Sequence, residues 1–155
     1  MSALLVLLVL AAAVNGTLAG ASLEASLVKL PARRRIGALA YARFARGNDL
    51  GNGLFVYPPW AILAALLVFA ATILSFVTGG SRPLLVALSS SSAASILHFI
   101  ATGQAAPVML SIGTAPDDER LLAAKLDRFA RWHAVRAVFQ VLAFLLVLWA
   151  LVVAR

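Results

Sequence analysis

Four side chains in this chain could do chemistry together: His98, His133, Glu24 and Arg136. An imidazole can take a proton from a weakly acidic carbon or phenol. A carboxylate can orient or tune that imidazole, and a guanidinium can hold the anion that forms. Around them, Tyr57 and Trp132 could flank an aromatic ring, with Asn52, Thr102 and Gln140 as polar contacts. Much of this polarity is concentrated in Arg131-Trp132-His133-Ala134-Val135-Arg136 and on to Gln140, at the mouth of an apolar run that carries no charge up to Ala154. Each residue also has a structural reading. Glu24 and Arg136 could be a helix-pairing ion pair, and His98 an interior histidine bonded by the serines on its stripe. Arg131 and Trp132 suit a membrane surface.

The elements that must position these residues are set by composition. Of 155 residues, 63% are hydrophobic and 12% charged, with a mean hydropathy of +0.97. A globule this small could not hide that much apolar surface, so the chain is expected to live in a bilayer. The sequence reads as all-α, a single transmembrane domain over 1–155, built as a four-helix bundle with spans at about 3–28, 54–78, 84–102 and 130–154. The first span has no positively charged start, so it is expected to be a retained helix rather than a cleaved signal. Its Gly16 and Gly20 allow close helix approach, leave self-association open, and place Glu24 on the same face. Residues 29–49 carry six Lys and Arg, with Ile36, Leu39, Ala40 and Phe44 at helical spacing, and read as an amphipathic helix lying on the headgroups. Tyr57-Pro58-Pro59-Trp60 either starts or kinks span two. Gly79-Gly80-Ser81-Arg82-Pro83 is a tight connection that makes spans two and three antiparallel neighbours.

Span three carries Ser91, Ser95, His98 and Thr102 on one stripe, and residues 103–115 read as a loop. Thr114, Pro116 and the acidic run that follows suit the start of a helix that continues to the C-terminus, ~58 Å long at 1.5 Å per residue. Its first half must therefore stand outside the membrane, in the cytoplasm.

Eleven of the 13 Lys and Arg fall between Lys29 and Arg46 or between Arg120 and Arg136. Positive charge favours the cytoplasmic side, so both larger connections are expected there and both termini outside. That orientation brings Glu24, Asn52, Tyr57, His98, Thr102, His133, Arg136 and Gln140 to one depth, just inside the cytoplasmic interface. Unpaired polar groups are costly there, so they are expected to meet, either in a polar chamber or as helix pairing. Cysteine is absent, which excludes disulfides, thiolate metal sites and thiol redox relays. Two histidines and one interior carboxylate have no diagnostic metal spacing, although a bis-histidine haem arrangement stays open. The net charge of +7 sits beside apolar spans, which points to anionic lipid at the basic segment rather than to nucleic acid.

The four-span layout resembles the anthrone oxygenase-like family of small membrane proteins. The resemblance is carried by Leu18-Ala19-Gly20-Ala21, by Ala101-Thr102-Gly103-Gln104-Ala105-Ala106-Pro107 and by Phe129-Ala130-Arg131-Trp132-His133-Ala134-Val135-Arg136. It implies a bacterial cell-membrane protein and an oxygenase that converts a lipophilic anthrone-like aromatic to a quinone with molecular oxygen and no tightly bound cofactor. The alternative from a different class is a non-enzymatic accessory subunit or a small transporter.

Overall fold

The computed structural model describes residues 2–154, all of them in helices or short turns, with no strand among the described residues. Helix α1 (Ala3–Glu24) starts where the Ser2 hydroxyl accepts from the Leu5 N–H, at 3.3 Å. It continues through a π-helical turn (Ala25–Lys29) into α2 (Leu30–Ile36). Gly37 then turns the chain at φ +86°, ψ 155°, a region essentially restricted to glycine. Helix α3 (Ala38–Gly47) follows, and a second π-helical turn (Asn48–Asn52), broken at Gly51, leads into α4 (Gly53–Val77). Helices α5 (Arg82–Gly113) and α6 (Glu119–Val153) complete the chain.

Four helical runs, Ala3–Ile36, Ala38–Val77, Arg82–Gly113 and Glu119–Val153, contain stretches long and apolar enough to cross a membrane. α1 packs on α4 and α6, and α5 packs on α6 and α4. Much of the apolar surface faces outward, with Phe55 82% and Val77 78% exposed. A water-soluble monomer rarely shows so broad an apolar exterior, whereas lipid would cover it. The interior is dominated by small residues, such as Ala11, Ala71, Ala87 and Ala150 beside Leu8, Leu88 and Val147, which let helix axes approach closely.

The largest core lies at the charge-rich end, where Leu30 of α2, Tyr41 and Ala42 of α3, Met109 and Ile112 of α5, and Leu122 and Leu126 of α6 are buried together. α3 is held there by α6. Glu119 accepts from the Ala38 N–H and, at 2.8 Å, from the Leu39 N–H, so a carboxylate from a distant helix caps the start of α3. Arg43 and Arg46 both reach Asp117, at 2.9 and 2.8 Å, and Arg46 also donates to the Ile112 and Ala115 carbonyls. The two guanidinium bonds hold the Asp117 carboxyl below the usual carboxylate range. Burial pushes the Tyr41 phenol up to about 12.

Helix α4 and the Gly79-Gly80 turn occupy the residues of the second expected span and its connection, and α6 contains those of the fourth. Residues 103–115, read as a loop, are instead helical through Gly113, because Ala105, Val108, Met109 and Ile112 pack into the charge-end core despite Gly103 and Pro107. The cap of α6 is Asp118, whose carboxylate accepts from the Arg120 and Leu121 N–H groups at 2.8 and 3.0 Å, not Thr114. Pro116 therefore precedes the helix. The Pro58-Pro59 pair sits inside α4, five residues past its start. On α3 the buried face is Ala38, Tyr41, Ala42 and Ala45, whereas Ala40 and Phe44, and Ile36 at the end of α2, face outward.

Candidate functional site

Three of the four candidate chemical residues come together, and they do so through α6. Residues 133, 136 and 140 recur at helical spacing, which puts His133, Arg136 and Gln140 along one inward face. The Arg136 carbonyl accepts from His98 Nδ1 of α5 at 3.2 Å. The Arg136 guanidinium donates through Nη2 to His133 Nδ1 at 2.7 Å, and His133 Nε2 faces the Ser22 carbonyl of α1 at 3.4 Å. These partners fix both tautomers. A carbonyl only accepts, so His98 carries its proton on Nδ1 and keeps a free lone pair on Nε2. His133 accepts at Nδ1, so its proton lies on Nε2 and points to Ser22. His98 Nε2 has no hydrogen-bond partner among the described residues. The buried Nε of Arg136 is likewise without one.

One turn further along α6, Gln140 donates to the Asn15 side-chain oxygen of α1 at 3.0 Å, and Asn15 donates to the Ala11 carbonyl. Ser91 donates to the Ala143 carbonyl at 3.1 Å, tying α5 to α6, and Thr72 meets Ser92 at 3.0 Å between α4 and α5. The predicted stripe on α5 thus faces inward, with Ser91, Ser95 and His98 buried; Thr102 is half-buried and donates to its own helix at the His98 carbonyl.

Glu24 does not join this set. It is exposed and pairs with Lys29 at 3.1 Å, so the expected Glu24–Arg136 pair does not form. The buried face of α1 runs through Leu8, Ala11, Asn15, Leu18 and Ser22, which turns Glu24 outward, and the π-helical turn that follows sets Lys29, five residues on, above it. Gly20 lies on the same outward face as Glu24, and of the two glycines only Gly16 is packed inside the chain, against Phe144. Burial raises the Asp49 carboxyl above its usual value, against the Asn48 hydrogen bond and the charges of Lys29 and Arg136. Asn52 is exposed and makes no side-chain hydrogen bond among the described residues, and Tyr57 is 39% exposed, folded over Gly53. Trp132 is half-buried against the charge-end core.

Asn15 is the residue that the sequence left out of the set. Asn15 is a buried polar residue in an apolar span, and Gln140 is its partner. His98, Asn15, Ser95, Gln140 and Phe99 line a seam against Ala61, Ala64 and Ala65 of α4. The seam is closed: no water-sized sphere fits in it, so of the two arrangements expected, a polar chamber or helix pairing, the chamber is not present. Among the described residues no three His, Asp or Glu side chains converge as a metal site would require.

The fold and the site define an all-helical bundle with four helices able to cross a membrane and an imidazole–guanidinium cluster near its charge-rich end. No protein-family model, curated protein or solved structure matches the chain.

Proposed function

We propose that the chain is an integral membrane protein, with its charge-rich end in the cytoplasm, that oxidises a lipophilic, weakly acidic aromatic of the anthrone type. The observation that carries this reading is the free lone pair on His98 Nε2 at an interhelical seam, with its Nδ1 bonded to the main chain of Arg136, whose guanidinium keeps a donor to spare. In this reading His98 Nε2 removes a proton from the activated ring carbon, and Arg136 holds the resulting oxyanion. The enolate passes its electrons to dioxygen, the carbon–oxygen bond forms, and the hydroperoxide loses water, so that CH2 and O2 become C=O and H2O. The resemblance to the anthrone oxygenase-like family supports the same chemistry, with no cofactor needed. Entry requires α4 to swing from α1 and α5. Three alanines form its wall of the seam, and it is bounded by the backbone break at Gly51 and by the Gly79-Gly80 turn.

The closed seam favours one other reading, a non-enzymatic accessory subunit or transporter. There Asn15–Gln140 and His98–Arg136 serve as helix pairing, in the place expected of Glu24–Arg136. Anthrone oxidation by purified protein separates the two readings, with His98→Ala and Arg136→Gln compared to wild type. Activity in the wild type that falls in both folded variants supports the oxygenase; inactivity of the wild type, or full activity of both variants, refutes it.

A further inference from the structure

A second site lies away from the seam. Between the last turns of α5 and the first half of α6 is an open groove of about 320 Å³, with Gly103, Gln104, Pro107 and Ser111 on one wall and Lys125 and Arg128 on the other. Lys125 Nζ donates to Ser111 Oγ at 2.7 Å, and Ser111 passes its own hydrogen to the Val108 carbonyl. An ammonium has three donors, so two remain for the groove. Neither cation has a carboxylate partner among the described residues, and none is left to supply one. Glu24 pairs with Lys29, Asp127 with Arg33, and Asp117 with Arg43 and Arg46. Asp118 caps α6, Glu119 caps α3, and Asp49 accepts from Asn48. Those are all six acidic residues of the chain.

The groove also offers an acceptor. Pro107 has no N–H, so the Gly103 carbonyl one turn before it loses its helical donor. Two free cations beside an orphan carbonyl and the Gln104 amide suit an anion that also bears hydroxyls. In the membrane-spanning reading, Gly103 and Arg128 stand at the edge of the apolar spans, at the depth of the headgroups. From there an outward track of Ile96, Ile100, Val135 and Leu142, all exposed, leads toward the bilayer centre.

We propose that this groove binds the glycerophosphate headgroup of an anionic phospholipid. The phosphate sits between Lys125 and Arg128, the glycerol hydroxyls donate to Gly103 and Gln104, and an acyl chain lies along Ile100 and Ile96. The basic segment 29–49, where anionic lipid was expected, has its Arg33, Arg43 and Arg46 already neutralised inside the protein. This site rests on the membrane-spanning part of the proposed function and is independent of the oxidation chemistry.

The test is native mass spectrometry of the full-length protein in detergent, titrated with phosphatidylglycerol or phosphatidylcholine. Wild type should retain phosphatidylglycerol about tenfold more tightly, the effect of one charge-assisted contact. The Lys125→Gln/Arg128→Gln variant should lose the preference, Arg128→Lys should keep it, and Arg34→Gln/Arg35→Gln, exposed cations elsewhere at the same end, should keep it too. Equal retention of both lipids by wild type, or an unchanged preference in the double variant, overturns the site. Displacement of the lipid by free glycerol phosphate overturns the lipid assignment in favour of a soluble ester. Resistance of the protein to alkaline carbonate extraction reports the spanning reading separately, so the site can fail while that reading stands.

Discussion

The Asn15–Gln140 pair gives a worked test of how polar groups lock this bundle. Asn15 is 1% exposed and Gln140 3%, and each is surrounded by apolar helix faces. The Asn15 side-chain oxygen has one donor, Gln140 Nε2 at 3.0 Å, while Gln140 Nε2 also lies 3.4 Å from the Asn15 main-chain oxygen. The two truncations should therefore differ. Gln140→Leu leaves a buried oxygen unsatisfied and should cost about 1–3 kcal/mol. Asn15→Leu leaves Gln140 its main-chain acceptor and should cost less. The double variant replaces both polar groups by apolar ones of similar size and should cost no more than Gln140→Leu alone. The coupling expected is about 0.6–1.7 kcal/mol, the range for interhelical hydrogen bonds in bilayers. Reversible unfolding of the four proteins in bicelles, closed as a double-mutant cycle, measures it. Additive losses, or Asn15→Leu costing more than Gln140→Leu, would refute the reasoning.

Other outcomes follow from the same geometry. Leu126→Ala empties a fully buried position in the charge-end core and should cost about 2–5 kcal/mol, with hydrogen exchange rising first in α3. Gly20→Ala meets nothing within 4 Å and should raise the melting temperature slightly, because alanine is the better helix former, whereas Gly16→Ala brings a Cβ to 2.9 Å from the Phe144 ring and should melt below Gly20→Ala. Gly37→Ala forces a side chain into a region reserved for glycine and should cost about 1–3 kcal/mol by denaturant titration. The Asp117 carboxyl is depressed in the folded state by Arg43 and Arg46, so its contribution is present above the unfolded carboxylate pKa and is lost as pH falls through the folded value. Amide exchange in α3 should accelerate in acid, and Asp117→Asn should remove that part of the pH dependence.

Much of the fold could be read from hydropathy, because long apolar runs separated by glycine and charge leave few alternatives. The inward stripe of Ser91, Ser95 and His98, and the face shared by His133, Arg136 and Gln140, were legible because helical spacing alone sets them. Glu24 was not, because the inward face of α1 is set by Leu8, Ala11, Leu18 and Ala19, apolar residues among many in that span, while the Gly16–Gly20 spacing points to a different face. The helical course of residues 103–113 was hidden by Gly103 and Pro107, whose local cost is outweighed by burial of Val108, Met109 and Ile112. α3 was legible as a helix but not in its orientation. Hydropathy weights Phe44 and Ile36 heavily, while the buried face is built on Ala38, Ala42 and Ala45, small enough to let α3 approach α6. Its anchors, Glu119 and Asp117, lie some seventy to eighty residues away in sequence. The closed seam was illegible for the same reason: three alanines of α4 carry no polar signal, yet their smallness lets the helix shut the space beside His98.

The central claim is that His98 Nε2 acts as the base in an oxidation by molecular oxygen. The most direct measurement is turnover of anthrone by the wild-type protein in lipid nanodiscs under isotopically heavy dioxygen, with His98→Ala alongside. The account predicts anthraquinone carrying one heavy atom in its new carbonyl, with a rate that falls by a factor on the order of 10²–10⁴ in the variant. No turnover above the protein-free rate, or equal turnover by folded His98→Ala, would contradict it.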